Sequence, residues 1–240
     1  MDLFIEGLKK LTIRKNAICL STFLCAWVPA LTTVEALTPS GKAVAVVQST
    51  SASGPGGSRT LAAAKPVYSG DRINTSSRGE AQIVFADDTR LVVGPNSSIV
   101  IDKYVYNPGA SGAQVSMQLA KGAFRFISGR GSKRNFRITT PSATLGIRGT
   151  AFDVGVGGRI GTGVAVFDGS VRFCSRRSGE CAMVRQGCNI AVVTPNGGVG
   201  TPRNQADKAA MIRILDALRR RWPGLDSPLM AKTPEVNAGS

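Results

Sequence analysis

The cysteines are the residues whose types and spacing point most directly to chemistry in this chain of 240 residues. Cys174, Cys181 and Cys188 follow one another at equal intervals, and the turn-forming run 176–179 lies between the first two. This arrangement puts Cys174 opposite Cys181 on paired strands, at a Cα separation that a disulfide accepts. We therefore predict a Cys174–Cys181 disulfide, with Cys188 free, buried or available for an intermolecular bond.

The sequence offers no set of residues suited to catalysis or metal binding. The chain contains no histidine, which is the commonest general base and metal ligand. The three thiolates match no common zinc spacing, and the acidic pair Asp87-Asp88 lies where a turn belongs. In Gly155–Gly161 (GVGGRIG) the third glycine comes one position too late for a dinucleotide-binding loop, which favours a hairpin turn. We expect no enzyme, no metal and no cofactor.

A basic loop is the second candidate for chemistry. Residues 128–135 read SGRGSKRN and bring Arg130, Lys133 and Arg134 close together. The segment lacks P-loop spacing, and no helix follows it. Two interpretations stay open, namely a solvated hairpin loop and a loop that contacts an anion or a partner.

The segment 79–101 predicts three short strands that would support such sites. Ala81, Ile83 and Phe85 alternate with other residues, as expected of a strand with one buried face. The runs 87–88 and 94–97 are turn signals. The same alternation recurs in Val115/Met117/Leu119, Phe124/Phe126 and Phe136/Ile138, with Arg125 and Arg137 predicted to point outward. We predict a mainly β fold, a compact stacked-sheet or β-solenoid-like domain of many short strands, plus one C-terminal α-helix.

Local composition and turn-forming residues divide the chain into segments. Ser49–Thr60 is rich in Gly, Ser and Pro and predicts a mobile surface loop or a linker. Thr201-Pro202 predicts the start of an amphipathic helix. Asp168-Gly169 predicts a tight hairpin turn. The predicted segments are a signal peptide (1–36), a first strand and Gly/Ser-rich loop (37–66), an all-β domain (67–193), a connector and amphipathic helix (194–222) and a disordered tail (223–240).

The first 36 residues have the pattern of an export signal. Lys9, Lys10, Arg14 and Lys15 precede the apolar run 17–31, and small residues follow it. The run is shorter than the ~20 residues that span a bilayer. We predict cleavage after residue 36 and a periplasmic or secreted protein, with a retained single N-terminal membrane anchor as the alternative.

Four blocks in the central region resemble the FecR domain family. They are GDRINT (70–75), GEAQIVFADDTRLVVGPNSSIVI (79–101), LAKGAFRF (119–126) and FRITTPSATLGIRGTAFDV (136–154), with VAVFDGSVRF (164–173) resembling a closing hairpin. The resemblance implies an all-β extracytoplasmic domain. In full-length regulators of that family, an outer-membrane receptor contacts this portion and a cytoplasmic anti-sigma segment receives the signal. Here the short stretch before residue 17 leaves too little chain for such a segment.

The most family-like block, 140–152, predicts structural roles. Gly146 and Gly149 would permit close backbone approach or a positive φ, and Phe152 and Val154 would fill the core. Thr150 belongs to the same motif and is predicted to be structural. Arg148 has two interpretations, a structural guanidinium that holds carboxylates or carbonyls, which we favour, and a ligand contact.

The excess of basic over acidic residues indicates which kinds of molecule the protein could bind. Lys and Arg number 30 against 15 Asp and Glu, a net charge of +15. Such a field attracts anionic partners, although export argues against nucleic acid. The sequence and the resemblance together predict a non-enzymatic FecR-type sensing module that acts through contact with an envelope protein. The alternative is an envelope scaffold that binds anionic polymer or lipid head groups.

Overall fold

The structure is a computed structural model of the chain and describes residues 37–106, 114–129, 136–187 and 190–218. The predicted signal peptide, the predicted tail and Cys188 lie outside these residues. No helix within the described ranges is long and apolar enough to cross a membrane. The elements are β1 (Gly41–Val47), β2 (Thr50–Gly54), β3 (Gly57–Thr60), β4 (Pro66–Val67), β5 (Arg72–Thr75), β6 (Glu80–Phe85), β7 (Arg90–Val93), β8 (Ser98–Val105), β9 (Gln114–Ile127), β10 (Phe136–Thr139), β11 (Ala143–Gly157), β12 (Gly161–Ser175), β13 (Cys181–Arg185), β14 (Ala191–Val193), β15 (Val199–Gly200) and α1 (Gln205–Asp216).

Three long strands carry two groups of short ones. Each of the long strands β9, β11 and β12 takes part in both groups, with one half of its length in each. The first group has the strand order β3-β2-β5-β8-β9-β10-β11-β12-β13, and we call it wing A. The second group contains the other half of each long strand and has the strand order β4-β1-β6-β7-β9-β11-β12-β14-β15. We call it wing B. The described pairings are antiparallel except β9–β10, which is parallel. The prediction of a mainly β domain of many strands with one C-terminal helix is confirmed.

One hydrophobic core lies between the two wings. Side chains from wing A, such as Ile73 and Ile99, belong to the same buried cluster as Ile83 and Phe124 of wing B. The two wings therefore pack face to face, as strands with alternating apolar residues require. Burial of each such side chain stabilises the fold by roughly 1.5–3 kcal/mol. The predicted alternation in segment 79–101 is confirmed, since Ala81, Ile83 and Phe85 are all in this core.

The long strands bend where they pass from wing A to wing B. The register of β11 and β12 shifts between Arg148 and Ala151, and Gly149 has a φ of 60°. Opposite it, Gly169 has a φ of 76°, and a Cβ there would lie 2.3 Å from the Gly149 carbonyl oxygen. The hairpin turn predicted at Asp168-Gly169 is therefore wrong. These residues form a bulge inside a continuous strand, which serves the bend that joins the wings.

The mobile loop predicted at Ser49–Thr60 is also wrong. This segment forms the β2–β3 hairpin, and β2 pairs with β5. Ala52 is buried in the core. Arg59 of β3 donates hydrogen bonds to both carboxylate oxygens of buried Asp71 and stacks 5.1 Å from the ring centroid of Tyr68. Tertiary contacts thus order a sequence whose own propensity for strand is low.

The helix lies on the outer face of wing B. Its N-cap is Asn204, whose side chain accepts a hydrogen bond from the Asp207 amide at 2.8 Å. The predicted start at Thr201-Pro202 is therefore wrong by one turn, because the Asn side chain is the group that reaches a free amide. Met211 and Leu215 are the buried residues of the helix, and they pack over strands β11 and β12.

Candidate binding groove

A row of basic side chains crosses the outer face of wing A. Lys103 of β8 pairs with Ser116 of β9, which pairs with Arg137 of β10. Arg137 in turn pairs with Gly146 of β11, which pairs with Arg172 of β12. All three cationic residues are exposed. Because neighbouring strands lie about 4.8 Å apart, residues on alternate strands stand about 10 Å apart. The sheet therefore sets three positive charges in one line.

The space over this row is a groove of about 480 Å³. We call it the cationic groove. Small side chains on β9 and β11, namely Ser116, Thr144 and Gly146, keep it open between the longer basic ones. The lining residues are Lys103, Gln114, Val115, Ser116, Phe136, Arg137, Thr144, Leu145, Gly146, Arg172 and Cys174.

The charges around the groove leave it positive. Asp102, next to Lys103, accepts two hydrogen bonds from the Gln118 side-chain amide at 2.8 and 2.9 Å. The same carboxylate accepts a longer bond from the Ser116 hydroxyl at 3.4 Å. Neutral donors therefore satisfy this acid. The arrangement suits recognition of carboxylate or phosphate oxygens, which guanidinium groups bind in bidentate fashion.

The predicted disulfide lies at the rim of this groove. Cys174 and Cys181 are paired residues on β12 and β13, with their Cα atoms 4.0 Å apart. The Cys174–Cys181 bond is present, and the prediction is confirmed. Arg172 contacts Cys181, with its Nη2 atom 3.8 Å from Sγ. The bond fastens edge strand β13 beside the basic row.

Gly146 has neither of the structural reasons that the sequence suggested for it. Its φ is not positive, and a Cβ there would make one ordinary contact, 3.7 Å from the Cβ of Arg172. The expectation of close approach or positive φ is therefore wrong at Gly146 and correct at Gly149, where φ is 60°. Gly146 is exposed between two arginines in the basic row.

The other motif residues lie at the bend of β11. Phe152 is fully buried and stacks on Phe126 with ring centroids 5.3 Å apart. Thr150 is buried, and its amide donates to the Ser128 hydroxyl at 3.0 Å. The backbone of Arg148 pairs with Ser170 on β12. These positions are consistent with structural roles, which remain predictions.

The basic loop lies partly outside the described residues. Arg130, Lys133 and Arg134 all belong to the undescribed segment 130–135. The strands on either side, β9 and β10, pair in parallel. These two strands are therefore not the arms of the hairpin that the sequence suggested, because a hairpin joins antiparallel strands. The loop's proposed contact with an anion or a partner stays a prediction.

Arg125, which the alternation predicted to point outward, is nevertheless covered by other side chains. Its side chain is buried and forms a bidentate ion pair with Asp153, through Nε–Oδ1 at 2.7 Å and Nη2–Oδ2 at 2.8 Å. The guanidinium also lies 5.4 Å from the ring centroid of Phe167. Burial alone lowers the pKa of Arg125, but the hydrogen bond and the charge of Asp153 outweigh it and raise the pKa. The pair is a structural part of wing B.

Asp87 also has a structural place. Its carboxylate accepts hydrogen bonds from the Tyr104 hydroxyl at 2.7 Å and from the Thr89 amide and hydroxyl at 3.0 and 2.8 Å. The predicted turn at this position is confirmed, because β6 and β7 flank it. Burial, and then the hydrogen bond with Asp87, raises the pKa of Tyr104 well above its usual range.

Sequence reasoning missed two of the three cations of the groove. The sequence indicates no role for Lys103 or Arg172, and for Arg137 it indicates only that the side chain points outward. A usable signal existed for Arg137 and Arg172, since each stands between inward-facing neighbours on its strand. Lys103 gave no such signal, because the register of β8 shifts beside it and its neighbour Asp102 contacts Ser116 of the groove. In the part of the chain that the structure describes, no group of three or more His, Cys, Asp or Glu residues lies close enough to hold a metal ion.

The comparison with known families identifies the central domain. Residues 71–172 match the model of the family described as FecR protein. This segment is a FecR domain. The match begins just before β5 and ends at Arg172, so it includes all three cations of the groove. Proteins of this family are regulatory, and the FecR domain supports a role in signalling or regulation.

Two crystal structures of a candidate anti-sigma factor from Parabacteroides distasonis ATCC 8503, at 1.65 and 2.50 Å resolution, are similar to this chain. Identity is 17% and 16%, and the TM-scores are 0.41 and 0.42. In both cases the match covers 58% of this chain and 62% of the neighbour's length. Among curated proteins, none matches the chain.

Proposed function

We propose that this protein is an exported, non-catalytic recognition module of the bacterial envelope that regulates by contact with a protein partner. The observation that carries the proposal is the FecR match over residues 71–172, because FecR domains typically work outside the cytoplasm. The export pattern of residues 1–36 supports the same compartment. The cationic groove is the surface that we assign to the contact.

The charge of the groove favours a second candidate function. Lys103, Arg137 and Arg172 would also attract an anionic polymer or lipid head groups, and the net charge of +15 would strengthen the attraction. Binding of this kind should weaken steeply as salt rises, since exposed charges are screened over about 10 Å at 0.1 M ionic strength. A shaped protein contact should persist at moderate salt.

Site-directed crosslinking in intact cells tests the proposal. A photoreactive amino acid replaces Met183, which is 52% exposed and pairs with Arg172 at the end of the basic row. The matched control carries it at Arg78, an exposed turn residue outside the groove. We expect a discrete protein adduct from position 183 and none from position 78. Failure to find any protein adduct at 183, or recovery of the protein from the cytoplasm, would refute the proposal.

A further inference from the structure

The spacing of the basic row matches one particular conformation of a bound peptide. Lys103, Arg137 and Arg172 stand on alternate strands, which separates them by roughly 10 Å each. A polyproline II helix repeats every three residues at about 3.1 Å per residue, or roughly 9.3 Å per turn. Side chains at every third position of such a peptide lie on one face. They would therefore lie over successive gaps between the cations of the row, because the gaps at Ser116 and Gly146 have the same spacing as the cations.

Other regular conformations fit the row less well. In a β-strand, residues two apart share a face at roughly 6.8 Å, and those four apart at roughly 13.6 Å. Neither distance equals the separation of the cations. An α-helix brings residues back to nearly the same face after seven positions, at roughly 10.5 Å, but its diameter of about 10 Å is large for a groove of about 480 Å³.

Gly146 supplies an independent reason to place a ligand group in the groove. Glycine within a strand lowers stability, yet neither its φ nor a close contact demands glycine here. Its neighbours across the sheet are Arg137 on one side and Arg172 on the other. A larger side chain at this position would stand between the two guanidinium groups. What the glycine provides is therefore open space where both can reach one anionic group.

From these observations we infer that the cationic groove binds an extended acidic segment of the partner protein, in polyproline II conformation, with carboxylates at every third residue. This inference rests on the proposed function and names the partner's chemistry. One carboxylate would lie above Gly146, between Arg137 and Arg172. The next, one turn of the peptide away, would lie above Ser116, between Arg137 and Lys103. A single exposed ion pair contributes little, so recognition depends on several pairs in register.

Two labelled peptides of identical composition test the register. One is Glu-Pro-Ala-Glu-Pro-Ala-Glu, with carboxylates at every third position. The other is Glu-Pro-Glu-Ala-Glu-Pro-Ala, with carboxylates at every second position. Fluorescence anisotropy with the purified protein at low salt should show about tenfold tighter binding of the first peptide, a difference of about 1.4 kcal/mol. Equal affinity for the two peptides would overturn the inference, because a general positive field attracts both peptides equally, whatever the spacing of their carboxylates.

Variants of the groove give the second test. Arg137→Gln and Arg172→Gln should each abolish the preference, whereas Arg78→Gln, which removes the same charge outside the groove, should keep it. Gly146→Val should also lose the preference while its melting temperature equals or exceeds that of the wild type. Its matched control is Gly200→Val on β15, where a Cβ meets nothing within 4 Å. An unchanged preference in Gly146→Val would overturn the inference.

The two hypotheses fail in different ways. Peptides that show no preference, combined with a protein adduct at position 183, would refute the spacing and leave the recognition function standing. Absence of a protein adduct together with a clear peptide preference would refute the regulatory contact in cells, while the chemistry of the groove would stand.

Discussion

At the scale of single residues, two arginines in equivalent sequence settings differ because of their neighbours across the sheet. Arg125 lies between Phe124 and Phe126, and Arg137 lies between Phe136 and Ile138. The register places Asp153 opposite Arg125 in wing B. Opposite Arg137 it places only Ser116 and Gly146. The first guanidinium is consequently paired and buried, and the second remains exposed.

Removal of one partner from the buried pair should be far more costly than removal of an exposed arginine. We expect Arg125→Met to lower the free energy of unfolding by about 3–5 kcal/mol, since Asp153 would keep a buried charge without its guanidinium. The double variant Arg125→Met/Asp153→Leu should recover most of the loss. Arg137→Met is the control and should change stability by about 0.5 kcal/mol or less. Urea unfolding measures all three, and equal losses in the two single variants would contradict the account.

Tyr104 should give the protein an alkaline limit. In the unfolded chain tyrosine loses its proton near pH 10, whereas the folded chain holds the pKa of Tyr104 higher. Above about pH 10 the unfolded state therefore binds fewer protons than the folded state, and the free energy of unfolding falls as pH rises. The contribution is fully present below that pH.

Tyr104→Phe tests this linkage. The variant should be less stable at pH 7 by about 1–2 kcal/mol, because the hydrogen bond to Asp87 is lost. Between pH 9 and about 11.5 its stability should decline less steeply than that of the wild type. Urea midpoints across this range, with absorbance at 295 nm to follow tyrosinate, provide the measurement. Parallel pH profiles for the two proteins would rule out the proposed cause.

At the scale of elements, α1 packs closely on wing B because two strand residues have no side chain. A Cβ on Gly155 would lie 2.7 Å from the Met211 sulfur, and one on Gly163 would lie 2.5 Å from it. Both glycines thus shape the surface on which the helix rests. The GVGGRIG run, whose spacing is close to that of a cofactor loop, begins in this surface at Gly155 and continues through the β11–β12 turn.

Filling of this surface should loosen the helix. We expect Gly163→Ala to lower the free energy of unfolding by roughly 1–3 kcal/mol, the usual cost of overpacking. Met211→Ala alone should also destabilise, by roughly 2–5 kcal/mol. In a double-mutant cycle the pair should cost less than the sum of the two, because the smaller helix residue makes room for the added methyl group. Strict additivity would show that the two positions do not share this contact.

Strands with strong apolar alternation could be predicted from the sequence, whereas elements that depend on distant partners could not. Segment 79–101 forms β6, β7 and the first half of β8 as its pattern indicates. The β2–β3 hairpin escaped prediction because its order comes from pairing with β5 and from Asp71. Asp168-Gly169 resembled a turn because turn composition also suits a bulge, and only the register of β11 distinguishes them.

At the scale of the whole molecule, the two wings are expected to unfold together. Strands β9, β11 and β12 run through both, and a single core lies between them. Neither wing can lose its ladder without loss of strands that the other wing uses. Cooperative unfolding follows from this continuity.

Removal of the disulfide tests that cooperativity. Cys174→Ser/Cys181→Ser should lower the free energy of unfolding by about 2–3 kcal/mol, as the chain-entropy model gives for a loop this short. Although the bond lies in wing A, hydrogen exchange should show an equal loss of protection in β5 of wing A and β6 of wing B. A loss confined to wing A would contradict the expectation. The variant should retain Cys188 unchanged.

The candidate groove could be predicted only in part, for reasons of topology. The net charge of +15 indicated that a binding surface would be positive. The turn-forming run between Cys174 and Cys181 indicated the disulfide at the rim of the groove. The groove itself brings together Lys103, Arg137 and Arg172, which are far apart in sequence. Their alignment depends on a parallel β9–β10 pairing that alternation alone does not encode.

That parallel strand also bears on how such domains could diversify. In wing B, β9 and β11 are direct neighbours, whereas in wing A they separate and β10 fills the fork with four residues. Arg137, the middle cation of the row, is carried by this insert. A replacement of Arg137, the exposed residue of the insert, would change the charge of this face, while the ladder of wing B stays as it is. Related domains can therefore differ in sequence at Phe136–Thr139, and so in the charge of this face, without a change in the strand pairing of wing B.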